Sequence, residues 1–296
     1  MVLKEHKSGF VSIIGNPNVG KSTLVNAIMG RDFSITTSKK QTTRHRILGL
    51  LNGENYQLVF SDTPGILKPK YEMQKTMATS VKESIVDADV LIYMTEVGER
   101  KIVDDKILRK VQNTKSSLLV LINKIDISNQ KELEKDVKYW SEMFPSAEII
   151  PISASTGFFV KELVEKLIKQ VPESQAYFPK DQISDRPERF FVNEAIRKSI
   201  LENCHNEVPY AVEVTTDHFR HSKKNIIINS TIIVERETQK GIIIGAKGLK
   251  LKKIGSQSRK YLEKFFEKKI FIELFVKVEK KWRSKPNQLK KFGYKN

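Results

Sequence analysis

Eight residues near the start of the chain, Gly15-Asn16-Pro17-Asn18-Val19-Gly20-Lys21-Ser22, have the types and spacing that grip a polyphosphate. Two glycines five positions apart, followed by Lys and Ser, fit the phosphate-loop pattern. The backbone N–H groups of such a turn, with the N-terminus of a following helix, form a concave positive patch. Gly20 lets the backbone approach phosphate with no Cβ in the way. Lys21 can reach the outer phosphates, and Ser22 can offer its hydroxyl to Mg²⁺. The flanks agree with the motif. Residues 10–14 (Phe-Val-Ser-Ile-Ile) read as a buried strand, and residues 23–29 as a helix ending at Gly30.

Four further stretches fall at the ends of expected strands. In Asp62-Thr63-Pro64-Gly65 the carboxylate can hold Mg²⁺ through water, as a Walker-B Asp does. Gly65 can present its N–H to a γ-phosphate, with Ile66 alongside. In Asn123-Lys124-Ile125-Asp126, Asp126 can accept from both the N1–H and the 2-amino group of guanine. Adenine would leave that carboxylate unpaired, a mismatch worth about 10⁴-fold in favourable cases. The Lys124 stem can lie on the base, and Asn123 can tie its loop to the neighbours. Ser153-Ala154-Ser155 can supply an N–H to the guanine O6. Gln41-Thr42-Thr43-Arg44 can place a threonine hydroxyl on Mg²⁺; spacing leaves Thr42 and Thr43 as alternatives.

The elements needed to position these residues follow from the pattern. Expected strands at 10–14, 46–51, 56–61, 90–94, 118–122 and 148–152 alternate with helical stretches at 71–86, 104–111, 130–144 and 160–170. This alternation is that of an α/β domain, a mostly parallel sheet covered by helices on both faces. Asn52-Gly53 marks one antiparallel hairpin. Ligands of such sheets sit at the carboxyl ends of the strands, where the phosphate loop lies. The expected division is a nucleotide domain at 1–171, a proline-punctuated linker at 172–187, a smaller α+β domain at 188–280 and a basic, loosely held tail at 281–296.

The chain of 296 residues carries a net charge of +17, concentrated late: residues 240–296 hold 18 basic and 4 acidic side chains. Such a field suits a polyanion, either nucleic acid or an anionic membrane surface. No apolar run approaches the roughly 20 residues that span a bilayer. The polar stretch Met1–Ser8 does not read as a secretory signal. Cys204 is the single cysteine, which excludes an internal disulfide and fits a reducing cytoplasm. Gly245-Ala246-Lys247-Gly248 opens a helix in an apolar–basic setting, the kind of loop that clamps about four nucleotides of single-stranded RNA. Lys250, Lys253 and Arg259 follow it. Period alone makes 239–244 a strand. His218 and His221 fall in an expected loop, without the partners a metal site needs. Trp282 can stack on a base or cap a core.

In order and spacing these stretches resemble the translation-factor-related GTPases. The strings Gln41-Thr42-Thr43-Arg44-His45-Arg46 and Asp62-Thr63-Pro64-Gly65 are similar to those of the Era family, over nearly the whole chain. The resemblance implies that Gly15–Ser22 holds the phosphates of GTP or GDP and Asn123–Asp126 the guanine, with Mg²⁺ as cofactor. It also implies a type II KH domain, in which 239–244 is a short helix. Its implied partners are the 3′ end of 16S ribosomal RNA and the 30S subunit, for a monomer that is cytoplasmic or peripheral on the inner membrane. Two departures from the signalling GTPases matter. Ile66 stands where they carry a water-orienting Gln, so intrinsic turnover should be slow. Asn18 matches a potassium-binding position of cation-dependent GTPases, and K⁺ can supply charge that an arginine finger supplies elsewhere. Rival readings are a lipid-surface GTPase and a binding module with a structural nucleotide.

Overall fold

The computed structural model describes residues 6–294; the beginning of the polar N-terminal stretch and the end of the basic tail lie outside them. Near-continuous runs of Val, Ile and Leu make strands buried on both faces. These are β1 (Lys7–Gly15), β2 (Ile47–Asn52), β3 (Tyr56–Asp62), β4 (Val90–Glu96), β5 (Ser117–Asn123) and β6 (Glu148–Pro151). They form one sheet in the order β2-β3-β1-β4-β5-β6. All neighbours are parallel except β2 and β3, the hairpin expected at Asn52-Gly53. Helices α1 (Lys21–Met29), α2 (Glu72–Val86), α3 (Asp105–Gln112), α4 (Gln130–Met143) and α5 (Val160–Gln170) intervene. Their starts follow from side-chain caps. Asp104 accepts from the Lys106 N–H at 2.9 Å and Asn129 from the Glu132 N–H at 3.0 Å, each satisfying an otherwise orphaned donor. One core stacks Trp140 against Phe144 and Tyr93 beneath β4 and β5.

The chain divides into two compact units. The first comprises residues up to Ser34, Thr43–Lys70 and Met77–Asp185; the second comprises Ile35–Thr42, Tyr71–Thr76 and the residues from Arg186 onward. Most of the expected linker is therefore part of the first unit. Proline keeps it out of helix, but an extended segment can still pair. Gly49 on the outermost strand bridges Ser184, and Lys7 bridges Glu173. The buried Gln57 accepts from the N–H groups of Tyr177 and Phe178 at 2.8 and 3.0 Å. Covering β2 in this way protects an exposed sheet edge.

The second unit is built from α6 (Glu188–Asn203), β7 (Glu213–His221), β8 (Asn225–Val234), α7 (Glu237–Ile244), α8 (Leu249–Phe266) and β9 (Lys269–Val278). Its sheet runs β7-β8-β9, with β7 antiparallel and β9 parallel to β8. The α6 face of Val192, Ile196 and Ile200 meets Ile226 and Ile228 of β8 and Ile254 and Leu262 of α8. Two local expectations are corrected. Residues 239–244 are helical: Gln239 Oε1 accepts from the N–H groups of Glu235 and Arg236 at 2.9 and 3.1 Å, fixing a helix start that overrides β-branched propensity. His218 and His221 lie in strand β7, not a loop, with a bulge between Thr216 and His218 and with His221 Nε2 2.8 Å from Glu188.

The segment Ile35–Thr42 is held within this second unit. Lys39 Nζ donates to the carbonyls of Leu201 and Cys204 at the end of α6, where a cation complements the helix dipole. The buried Arg197, paired with Glu194, donates to the carbonyl of Thr42.

The tail is not loosely held. Trp282 is fully buried, donates its indole N–H to the Ala211 carbonyl at 3.0 Å and meets Phe292 edge-on. The helix α9 (Pro286–Lys291) follows, with Leu289 buried, and Tyr294 donates to Glu213 at 2.7 Å. Trp282 thus caps the core and is withdrawn from base stacking. Trp282→Ala should cost about 3–5 kcal/mol, the range for emptying a buried aromatic site. Urea unfolding of the full chain, followed by circular dichroism, should show the second unit melting earlier.

Candidate functional site

The phosphate loop joins β1 to α1 at the carboxyl end of the parallel sheet. Its backbone is tightly packed. A Cβ on Gly15 would lie 2.0 Å from the Met94 carbonyl oxygen, and one on Gly20, at φ 105°, would lie 2.2 Å from Asn123 Nδ2. Glycine is required at both. Asn18 occupies the left-handed region at φ 69°, which Asn tolerates better than most residues. Lys21 is buried, and its ammonium donates to the carbonyls of Gly15 and Asn16 at 3.0 and 2.8 Å. Burial pulls its pKa down to about 8, against the opposing pull of Asp62 and Glu99. The Asn16 side chain bonds outside the loop. It donates to Glu99 at 2.8 Å and to the Lys101 carbonyl at 2.6 Å, pinning the segment after β4. Burial also raises the Glu99 carboxyl pKa.

Three oxygens converge beside the loop: Ser22 Oγ is 2.9 Å from both Thr43 Oγ1 and Asp62 Oδ2. Thr42 is differently engaged, with its hydroxyl donating to the Lys39 carbonyl at 2.7 Å and bonded to Thr37 Oγ1 at 2.9 Å. After Asp62, the Thr63 hydroxyl donates to the Ile13 carbonyl at 2.8 Å. Gly65 lies against Pro17, where a Cβ would approach the Pro17 Cα to 2.8 Å. Ile66 is buried in the apolar core, and its N–H donates to the Gly15 carbonyl at 3.0 Å. It thus holds no polar side-chain atom toward a nucleophile.

Asn123, at the end of β5, donates to the Val19 carbonyl at 2.7 Å and accepts from the Ala154 N–H at 2.9 Å. One amide therefore joins the phosphate loop to the segment after β6. Lys124, in the left-handed region, pairs with Glu96 at the end of β4, a partner with no motif to reveal it in the sequence. Asp126 sits in the short turn Ile125–Ile127 and accepts from Ser153 Oγ at 2.6 Å. Gly15–Ser22, Asp62–Ile66, Asn123–Asp126 and Ser153–Ala154 are thus gathered at one end of one sheet.

In the second unit, Gly245, Ala246, Lys247 and Gly248 form a tight turn between α7 and α8, with Gly245 at φ 71°, Lys247 at φ 48° and Gly248 at φ 75°. A cleft of about 400 Å³ opens between α8 and β9 beside it. Gly248 and Arg259 line it, as does Lys252, one helical turn before Ser256. Lys250 and Lys253 do not; a helix cannot turn all its lysines to one side. Leu251, Ile272 and Leu274 give the cleft an apolar floor.

Residues 10–124 match the family described as 50S ribosome-binding GTPase, and residues 207–283 match the KH domain. The chain is 43% identical to the protein named GTPase Era of Syntrophus aciditrophicus (strain SB), over 97% of this chain and 95% of that protein. It is 43% identical to that of Geotalea uraniireducens (strain Rf4), over 99% and 100%. A crystal structure of Era in complex with MgGDPNP and nucleotides 1506–1542 of 16S ribosomal RNA superposes with a TM-score of 0.92, at 37% identity, covering 98% of this chain and all of that one. An Aquifex aeolicus Era variant bound to GDP·AlF4⁻ gives the same score, identity and coverage.

The position of Asp126 beside Ser153 generates one sharp test. Asp126→Asn replaces an acceptor by a donor, so affinity for GTP should fall by about 10⁴-fold while xanthosine triphosphate gains. Calorimetric titration with both nucleotides reads this; unchanged GTP affinity would remove the guanine assignment.

Proposed function

Since this chain belongs to the Era family of GTPases, we propose that it is a GTP-driven switch which binds the 3′ end of 16S ribosomal RNA and serves assembly of the 30S subunit. The observation that carries the reading is the convergence of Ser22, Thr43 and Asp62 beside a buried Lys21, in a chain whose second unit holds a Gly-x-x-Gly cleft. The Era structure bound to MgGDPNP and to 16S ribosomal RNA supports both halves.

Three hard oxygens at a phosphate loop fit Mg²⁺. Ser22 and Thr43 are its proposed direct ligands and Asp62 its partner through water; Thr42, with its hydroxyl engaged elsewhere, is not. Mg²⁺ held there would supply charge that offsets the phosphate oxygens during transfer of the γ-phosphoryl. Lys21 exchanges its two carbonyl acceptors for the outer phosphates. N–H groups of residues 18–22 and of Gly65 line the phosphates, while Asp126, Lys124 and the Ser153–Ala154 turn hold guanine, with Asn123 setting their spacing. Water attacks the γ-phosphate in line, and hydrolysis acts as a timer by releasing the segments around Thr43 and Gly65.

Ile66 leaves the attacking water without a side-chain partner of its own, so basal turnover is slow. Asn18 is the residue that would hold K⁺, which would supply positive charge of the kind an arginine finger supplies elsewhere. The protein acts as a cytoplasmic monomer whose basic second unit also touches anionic lipid peripherally. Among the described residues no helix is long and apolar enough to cross a membrane.

Two measurements test the proposal. GTP hydrolysis should run on the order of tenfold faster in K⁺ than in Na⁺, a barrier difference of about 1.4 kcal/mol; equal rates would end the potassium assignment. Gly248→Asp puts a carboxylate and a strained backbone where phosphate would lie. It should abolish binding to a 16S 3′-terminal RNA in a filter assay and spare GTP binding; loss of both would argue against separable sites.

A further inference from the structure

The outward face of the sheet β7-β8-β9 carries two large exposed aromatic side chains, Phe271 at 52% and Phe275 at 56% of full exposure. The alternation along β9 explains why. Ile270, Ile272, Leu274, Val276 and Val278 pack inward on the core, which sends Phe271, Glu273, Phe275 and Lys277 to the opposite face. A Phe left in water on a strand forgoes the stabilisation that burying it would bring. Register places Ile227 beside Phe271 and Thr231 beside Phe275 on β8. The intervening Glu273 accepts from the Asn229 amide at 2.8 Å, and Asp217 from the Thr231 hydroxyl at 2.6 Å. Arg220 of β7 stands across from Ile227 in the same row as Phe271.

Phe271 also lines the cleft of Gly248, Lys252 and Arg259, so the cleft reaches the first of the two rings, with Phe275 beyond it along the strand. The two rings are four residues apart on one strand, or about 13 Å at the usual rise. That is too far for both to sandwich one base, since ring pairs work at about 4.5–7 Å, so each ring serves a base of its own. Lys252 and Arg259, which line the cleft with Phe271, put cations beside that exposed ring, the combination a single-stranded nucleic acid meets on its stacking platforms.

We propose that the solvent face of β9 is a second RNA-contacting surface, on which Phe271 and Phe275 each stack one base of a single strand leaving the cleft. This inference rests on the RNA-binding reading of that cleft. It extends the bound strand beyond the roughly four nucleotides that a Gly-x-x-Gly loop clamps. Stacking does not depend on which base is present, so the surface adds affinity and direction more than sequence preference.

The test uses the full chain and two labelled single-stranded RNAs in fluorescence anisotropy, a tetranucleotide and a strand of about twelve nucleotides. Phe275→Leu keeps an apolar side chain at an exposed site. It should weaken the longer strand about tenfold, leaving the tetranucleotide and the slope of affinity against salt unchanged. Phe275→Trp should retain affinity, and its added fluorescence should be quenched by the longer strand alone. If Phe275→Leu binds both strands like the parent while Gly248→Asp binds neither, the sheet face is not an RNA surface and the inference is overturned. If Gly248→Asp binds both strands like the parent, the cleft reading falls and takes the inference with it.

Discussion

A single side-chain amide organises the nucleotide end of the first unit. Asn123 donates to the phosphate loop at Val19 and accepts from the segment after β6 at Ala154. Its nitrogen lies where a Cβ at Gly20 would have to sit. Both bonds are buried, where an amide left unpaired costs about 1–3 kcal/mol. The distance between the cradle for phosphates and the turn that would read the base is therefore fixed before any ligand arrives. Preorganisation of this kind reduces what binding must spend on ordering loops. Lys21 shows the complementary strategy: its charge is buried in advance and held by two carbonyls that anionic phosphates can replace.

The first unit was largely legible because its signals are local. A phosphate loop, the motifs after β3, β5 and β6 and an Asn-Gly hairpin each need only a few consecutive residues, and each adjoins an expected strand; the Gln41–Arg44 stretch is instead divided between the two units. What stayed hidden depends on residues distant in sequence. Glu96 has no motif, yet it pairs with Lys124 because β4 and β5 are neighbours. Asn16 belongs to the loop motif, but its side chain serves the segment after β4 instead. Thr42 and Thr43 are identical in type and adjacent in sequence. The Thr42 hydroxyl bonds within its own loop, to Lys39 and Thr37, whereas that of Thr43 meets Ser22 of α1, a long-range contact that adjacency in sequence does not reveal.

The second unit was harder to read for physical reasons. Three consecutive isoleucines favour strand by propensity, and the helix there is set by a capping contact of Gln239 with the backbone of Glu235 and Arg236. The proline-bearing stretch before it gave a correct reading of non-helical backbone and a wrong one of independence, because edge pairing with β2 depends on a strand far upstream. The lysine-rich end looked detached. Charge hides a few well-placed apolar residues, and Trp282, Leu289 and Tyr294 suffice to anchor it.

The span bridged by Asn123 reaches beyond ligand geometry. Its partner at Val19 is 104 residues away along the chain, so the pocket exists only once β1, β5 and β6 are all assembled. A nucleotide that recognises this assembly binds the native chain and ignores any form in which one of those strands has come loose. At a ligand concentration of 100 times its dissociation constant, such linkage is worth about 2.7 kcal/mol. Bound nucleotide therefore lowers the share of chains in which one of these strands is open, and with it the share exposed to proteolysis.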